Sequence, residues 1–200
     1  DTRELVGYSY ALTAYSDMDD IFSFFEGDIK ERGLEYSKVE FADRITPYPT
    51  NPGRSWTVRR ELWEKFLGKD GKFAYTYNER MHNQIWKVIT NIDTSIGSRQ
   101  NIISIYNPGI DAQRIGGLAR IPCSMYYQFL PRVISGKKTM VMIYSMRSCD
   151  FYQHFSIDVH LALQLLEYVA VCTNHEPGTF IHQMGSLHVY KKDFKTRRIF

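Results

Sequence analysis

The stretch from Ile157 to Val171 is apolar on nearly every side of a helical projection. That pattern predicts a helix buried at the centre of the fold. Met81 to Ile92 differs, since Ile85, Val88, Ile89 and Ile92 share one face, as in an amphipathic helix. Val58 to Leu67 also reads as helical, and Lys69-Asp70-Gly71-Lys72 reads as a turn. Near the start, Asp17-Met18-Asp19-Asp20 precedes Ile21, Phe22, Phe24 and Phe25. Acids ahead of an apolar run suit a helix N-terminus, and Gly33 is the expected end of that helix.

The strands come from shorter apolar runs. Leu5 to Tyr15 reads as a strand or buried hairpin, and Asn101 to Tyr106 as a strand stopped by Asn107-Pro108-Gly109. Ser124 to Val133 and Thr139 to Ser145 flank Ser135-Gly136-Lys137-Lys138, which predicts a hairpin. Phe180 to Tyr190 is expected to form a last strand pair around Gly185. Pro47, Pro49, Pro52 and Gly53 make Thr46 to Arg54 a loop. Strands and helices do not alternate as βαβ units, so the expected class is α+β, with residues 1–200 forming one domain.

Composition narrows the function classes. Two hundred residues can bury a sizeable core, and a net charge of +3 demands neither a polymeric nucleic acid nor a membrane surface as partner. No apolar run approaches the ~20 residues of a membrane span, and Asp1-Thr2-Arg3-Glu4 does not open a signal peptide. Cys123, Cys149 and Cys172 lack metal or redox spacing, so reduced thiols in a cytoplasm are the expectation. Most of the 14 tyrosines are expected in the core or on a dimer surface.

Chemistry concentrates between Arg120 and Asp158. Cys123 follows Pro122 with Arg120 nearby; Arg147-Ser148-Cys149-Asp150 and Asp158 follow on the next elements. A thiolate beside positive charge and paired carboxylates is a nucleophilic constellation. A bare cysteine is a structural one in about three cases of four. Arg147-Ser148-Cys149-Asp150 alone is as readily a surface salt bridge as a site. His188 and Tyr190 share one strand face and are more often a core pair, by about two to one. Asp158 has an alternative as a helix-start acid, at about one in three.

Pro122-Cys123, Arg147-Ser148-Cys149-Asp150 and Gly185-Ser186-Leu187-His188-Val189-Tyr190 together resemble the thymidylate synthase family, over about Leu62 to Tyr190. The resemblance implies an α+β fold with a mixed sheet, a long buried helix, and sheets back to back in a homodimer with a shared active site. It makes Cys123 the nucleophile that adds to C6 of a pyrimidine nucleoside monophosphate. Arg147 and Ser148 would bind its phosphate, together with Arg99 of the other subunit, and His188 and Tyr190 its ribose. Gln128 is carried over as a further substrate contact. Asp150 and Trp63 would meet the cofactor, 5,10-methylenetetrahydrofolate. Tyr77, with Glu40 about twenty residues before the tryptophan, would belong to a proton relay.

Met146 and the Gly185–Tyr190 motif look more like the nucleotide hydroxymethylase branch than like ordinary synthases. Asp158 stands where synthases have asparagine, and a carboxyl group suits the N3 and N4 edge of cytosine. The expected function is therefore C5 hydroxymethylation of dCMP or CMP. Cys123 would add to C6, C5 would take the one-carbon unit, and water would complete the hydroxymethyl group. Thymidylate synthesis from dUMP is the first alternative, and a folate-free nucleotide-binding homologue the second. Four departures from the family pattern bear on this. Gln100 replaces a second phosphate-binding arginine, which implies weaker phosphate binding. His154 replaces a glycine that lets folate lie close. Ser124 replaces a histidine after the nucleophile. Only ten residues follow Tyr190, where the family has several tens ending in a tail over folate. The nucleotide site is thus more strongly implied than the folate site.

Overall fold

The computed structural model describes residues 1–13, 18–22, 28–117 and 119–194. Six strands form one mixed sheet: β1 (Thr2–Leu12), β2 (Ile102–Ser104), β3 (Ser124–Ile134), β4 (Lys137–Met146), β5 (Cys149–Asp150) and β6 (Glu176–Tyr190). Their order is β1-β6-β4-β3-β2, with β5 also on β6. β4 and β5 run parallel to β6, and the remaining pairs are antiparallel. Three long helices accompany the sheet: α1 (Asp28–Arg44), α2 (Tyr77–Thr94) and α3 (Phe155–Cys172). The architecture is α+β, as expected.

The β3–β4 hairpin forms where the pattern places it. Its turn needs two positive φ angles, at Ser135 (51°) and Gly136 (79°), so the turn is tighter than four residues. Alternation sorts the strands: Tyr127, Phe129, Met140, Met142 and Tyr144 point into the core against α2 and α3. Ile102, Gln128, Ile143 and Ile181 are paired neighbours on the opposite face. α3 is apolar and long enough to cross a membrane by length and composition, but most of its side chains are buried between the sheet and α1. α2 begins with a capping box in which Thr76 and Glu79 satisfy each other's backbone N–H.

Four expectations are corrected. Gly33 lies inside α1 rather than ending a helix. Its missing side chain makes room for Phe22, whose Cε1 would be 2.8 Å from a Cβ there. The acids before Ile21 open only a short 3-10 turn, Met18–Phe22, while Tyr15, Asp17, Phe24 and Phe25 lie outside the described residues. Val58 to Leu67 is broken into 3-10 turns around a short helix, Arg60–Trp63. Finally, Phe180 to Tyr190 is part of one 15-residue strand and not a pair. A single strand suffices because β4 and β5 lie end to end along its length.

Candidate active site

The step between β4 and β5 organises the site. Arg147 and Ser148 leave the sheet there, opposite Gly185 of β6. Ser186 donates its backbone N–H to the Arg147 carbonyl at 3.2 Å, and a Cβ on Gly185 would sit 2.7 Å from that oxygen. Glycine is required here by close approach. Arg147 in turn holds the segment before β3. Its Nε donates to the Pro122 carbonyl (2.9 Å) and its Nη2 to that of Ile121 (3.0 Å), while its backbone N–H reaches the Cys123 carbonyl (2.8 Å). Cys123 is thereby fixed, with Arg147 Nη2 and Ser148 Oγ each 3.7 Å from its Sγ. A guanidinium and a hydroxyl thus flank the half-exposed Cys123 thiol at the mouth of the segment before β3.

A cavity of about 570 Å³ opens over this thiol. Cys123, Arg147, Ser148 and Asp150 line it, as do Asp158, His188 and Tyr190. So do Glu40, Tyr77 and Trp63, from the N-terminal half of the chain. Ten of the twelve expected site residues therefore meet in one place.

Asp158 stands in the first turn of α3, and the Cys149 thiol donates to its Oδ2 at 3.9 Å. Burial raises its carboxyl to about 7, with Arg44 and Arg59 opposing the rise and Glu40 adding to it. Asp150 accepts the backbone N–H groups of Tyr152 (3.0 Å) and Gln153 (3.1 Å), yet burial still raises its carboxyl above the ordinary range. His154 lies against Trp63, ring centroids 6.2 Å apart, and burial lowers it to about 4, so it is neutral at pH 7. Trp63 also packs on Phe66 and Phe73, while the Arg120 guanidinium lies 4.6 Å from its ring centroid. Among the described residues no His, Cys, Asp and Glu cluster could hold a metal ion.

Gln128 and Arg99 are not brought to this cavity. Alternation along β3 puts Gln128 on the face opposite Tyr127, where its Nε2 donates to the Arg99 carbonyl at 2.8 Å. Gln128, expected as a substrate contact, thus lies away from the cavity that holds Cys123.

The sequence pattern of the family described as thymidylate synthase matches residues 13–198. The chain belongs to the thymidylate synthase family. A thymidylate synthase of Rhodopseudomonas palustris (strain BisA53) is 30% identical over 166 residues, covering 80% of this chain and 50% of that protein. The chain thus spans about half the length of this curated relative. The crystal structure of the thymidylate synthase from T4 phage superposes with a TM-score of 0.70 at 20% identity, covering 97% of this chain and 70% of that one, and so shares its fold.

Within this thymidylate synthase fold, sequence reasoning missed Arg44. It is 5% exposed, yet it lines the cavity beside Glu40 and Tyr77. The only sequence signal was the Glu40–Arg44 spacing of four on what proves to be helix α1. Tyr144 was missed too. Its hydroxyl lies 2.5 Å from Ser124 Oγ, which donates to the Tyr77 hydroxyl at 3.1 Å. Ser124, where the family has histidine, thus joins a buried hydroxyl cluster next to the nucleophile.

Proposed function

We propose that this chain transfers a one-carbon unit to C5 of a cytosine nucleotide, dCMP or CMP, as a hydroxymethyl group. The observation that carries the reading is Asp158: a carboxyl group titrating near neutrality in the cavity that holds Cys123. Sγ of Cys123 adds to C6 of the pyrimidine, which concentrates electron density on C5. Protonated Asp158 shares its proton with N3 and accepts from the N4 amino group, drawing electrons from C6 as the thiolate attacks. Arg147 and Ser148 hold the phosphate through charge-assisted bonds, and His188 and Tyr190 hold the ribose. Glu40 and Tyr77 serve proton removal from C5.

The cofactor in this reading is 5,10-methylenetetrahydrofolate, which supplies carbon at the methylene level when bound. The cavity wall fits a flat polar ring. Trp63 Nε1 is buried without an acceptor among the described residues, beside Phe66 and Phe73, and Asp150 lines the same cavity. Trp63 and Asp150 would hold the pterin, with His154 narrowing the space between them and α3.

The partner in this reading is a second copy of the chain. Ile102, Ile143 and Ile181 form a partly exposed apolar row beside Gln128 on the face away from the helices. Arg99, just before β2 at the edge of that face, serves the neighbour's phosphate site in this reading. The domain is taken as residues 1–200. Three free cysteines suit a reducing cytoplasm.

Thymidylate synthesis is the second reading, favoured by the name of the bacterial relative. Tritium release from C5-labelled dCMP and dUMP, with and without folate, tests both. Wild type should prefer dCMP, and Asp158→Asn should move the ratio toward dUMP by at least about tenfold, since a mismatched buried edge costs ~1–3 kcal/mol. A wild type that prefers dUMP, or an unchanged ratio in the variant, would reject the cytosine reading.

A further inference from the structure

Arg44 ends helix α1 beneath the cavity, where a positive charge suits the helix C-terminus. A guanidinium buried at this depth must have partners on every side. Nε donates to Glu40 Oε1 at 2.9 Å, and Nη2 donates to the same oxygen. Nη1 donates to the Tyr127 hydroxyl at 3.3 Å. The guanidinium carbon lies 4.2 Å from the centroid of the Tyr77 ring, in cation–π range. Burial disfavours the Arg44 charge, but Glu40 together with Tyr127, Tyr77 and Tyr144 outweighs it, so the guanidinium stays charged. One side chain thus joins α1, the start of α2 and the strand that begins beside the nucleophile.

Glu40 and Tyr77 share Arg44 as a partner. The Tyr77 hydroxyl is also held by Ser124, and the Glu40 side chain also meets the Tyr36 hydroxyl one turn earlier on α1. A carboxylate on a long side chain at the cavity wall must be held in one rotamer, since rotamer freedom near a reacting atom is costly in rate.

We propose that Arg44 is a positioning residue for the proton-removal step: it sets where the Glu40 carboxylate and the Tyr77 ring stand in the cavity, without itself touching the nucleotide. The proposal rests on the reading of this cavity as a nucleotide C5 site. It goes beyond it in naming a residue that the resemblance did not supply. Arg44 acts through Glu40, so the two should be coupled rather than independent.

The test is a double-variant cycle with Glu40→Gln, Arg44→Gln and both together. C5 tritium release and nucleotide binding are measured on the full chain. Arg44→Gln should lower the kcat of tritium release about tenfold or more while the nucleotide Kd changes less than about threefold. The double variant should lose no more than Glu40→Gln alone, because the group Arg44 positions is already gone. It also removes both halves of the buried ion pair, so no charge is left unpaired in the fold. Arg44→Lys should restore part of kcat, since it keeps the charge but not the fork. Losses that multiply in the double variant, or an equal loss of binding and turnover, would overturn the proposal alone. No release from either nucleotide by wild type would overturn the nucleotide reading and this proposal with it.

Discussion

At the scale of single residues, Asp158 shows how environment sets chemistry. Its carboxyl is raised to about 7 by burial, against ~3.9 for the unfolded chain. Between those values the folded state holds a proton that the unfolded state has released. Stability therefore falls as pH rises from about 4 to about 7, then levels off. Asp158→Asn removes this penalty. The variant should match wild type near pH 4 and exceed it by a few kcal/mol (~2–4) at pH 8, read from urea melts of both proteins. A difference that does not grow with pH would mean that Asp158 is ionised at no cost in the folded protein. The identity of this residue was legible in the sequence through its spacing from Asp150. Its ionisation was not, because Arg44, Arg59 and Glu40, which shape it, lie about a hundred positions away along the chain.

At the scale of elements, the site depends on β6 running straight past the gap between β4 and β5. Gly185 lets that strand approach the Arg147 carbonyl. Gly185→Ala must push β6 from Arg147, at ~1–3 kcal/mol of overpacking. It should also displace the guanidinium and weaken nucleotide binding. Gly136→Ala is the comparison. Its φ of 79° makes alanine strained, but nothing lies within 4 Å of its Cβ and it sits in the far hairpin turn. That variant should lose ~1 kcal/mol or so of stability and keep its nucleotide Kd. Thermal melts and nucleotide titration of both variants check this. Equal effects on binding would deny Gly185 its special place. The hairpin was legible because its turn chemistry is local. The unbroken β6 was not, since Gly185 within an apolar run signals a turn as readily as a close approach.

At the scale of the whole molecule, Cys123 and Arg99 lie on different parts of one chain and, in the proposed dimer, serve the same site from two subunits. Cys123→Ser should abolish tritium release by removing the nucleophile, and Arg99→Ala should cripple it by weakening phosphate binding. Mixing the two variants after unfolding and refolding should restore about a quarter of wild-type activity, because half the dimers are mixed and each carries one complete site. A mixture no more active than its parents would place Arg99 outside the site. The sequence by itself determined the amphipathic α2, the buried α3, the β3–β4 hairpin and the motifs around Cys123, Arg147 and His188. These are written in short-range periodicity, turn residues and spacing, which act within a few residues. Only the tertiary structure decided that Arg44 meets Glu40, Tyr77 and Tyr127 at once, that Gln128 faces away from the cavity, and that β4 and β6 pair in parallel. Those outcomes depend on which distant surfaces exclude water from one another, and burial of that kind has no period along the chain.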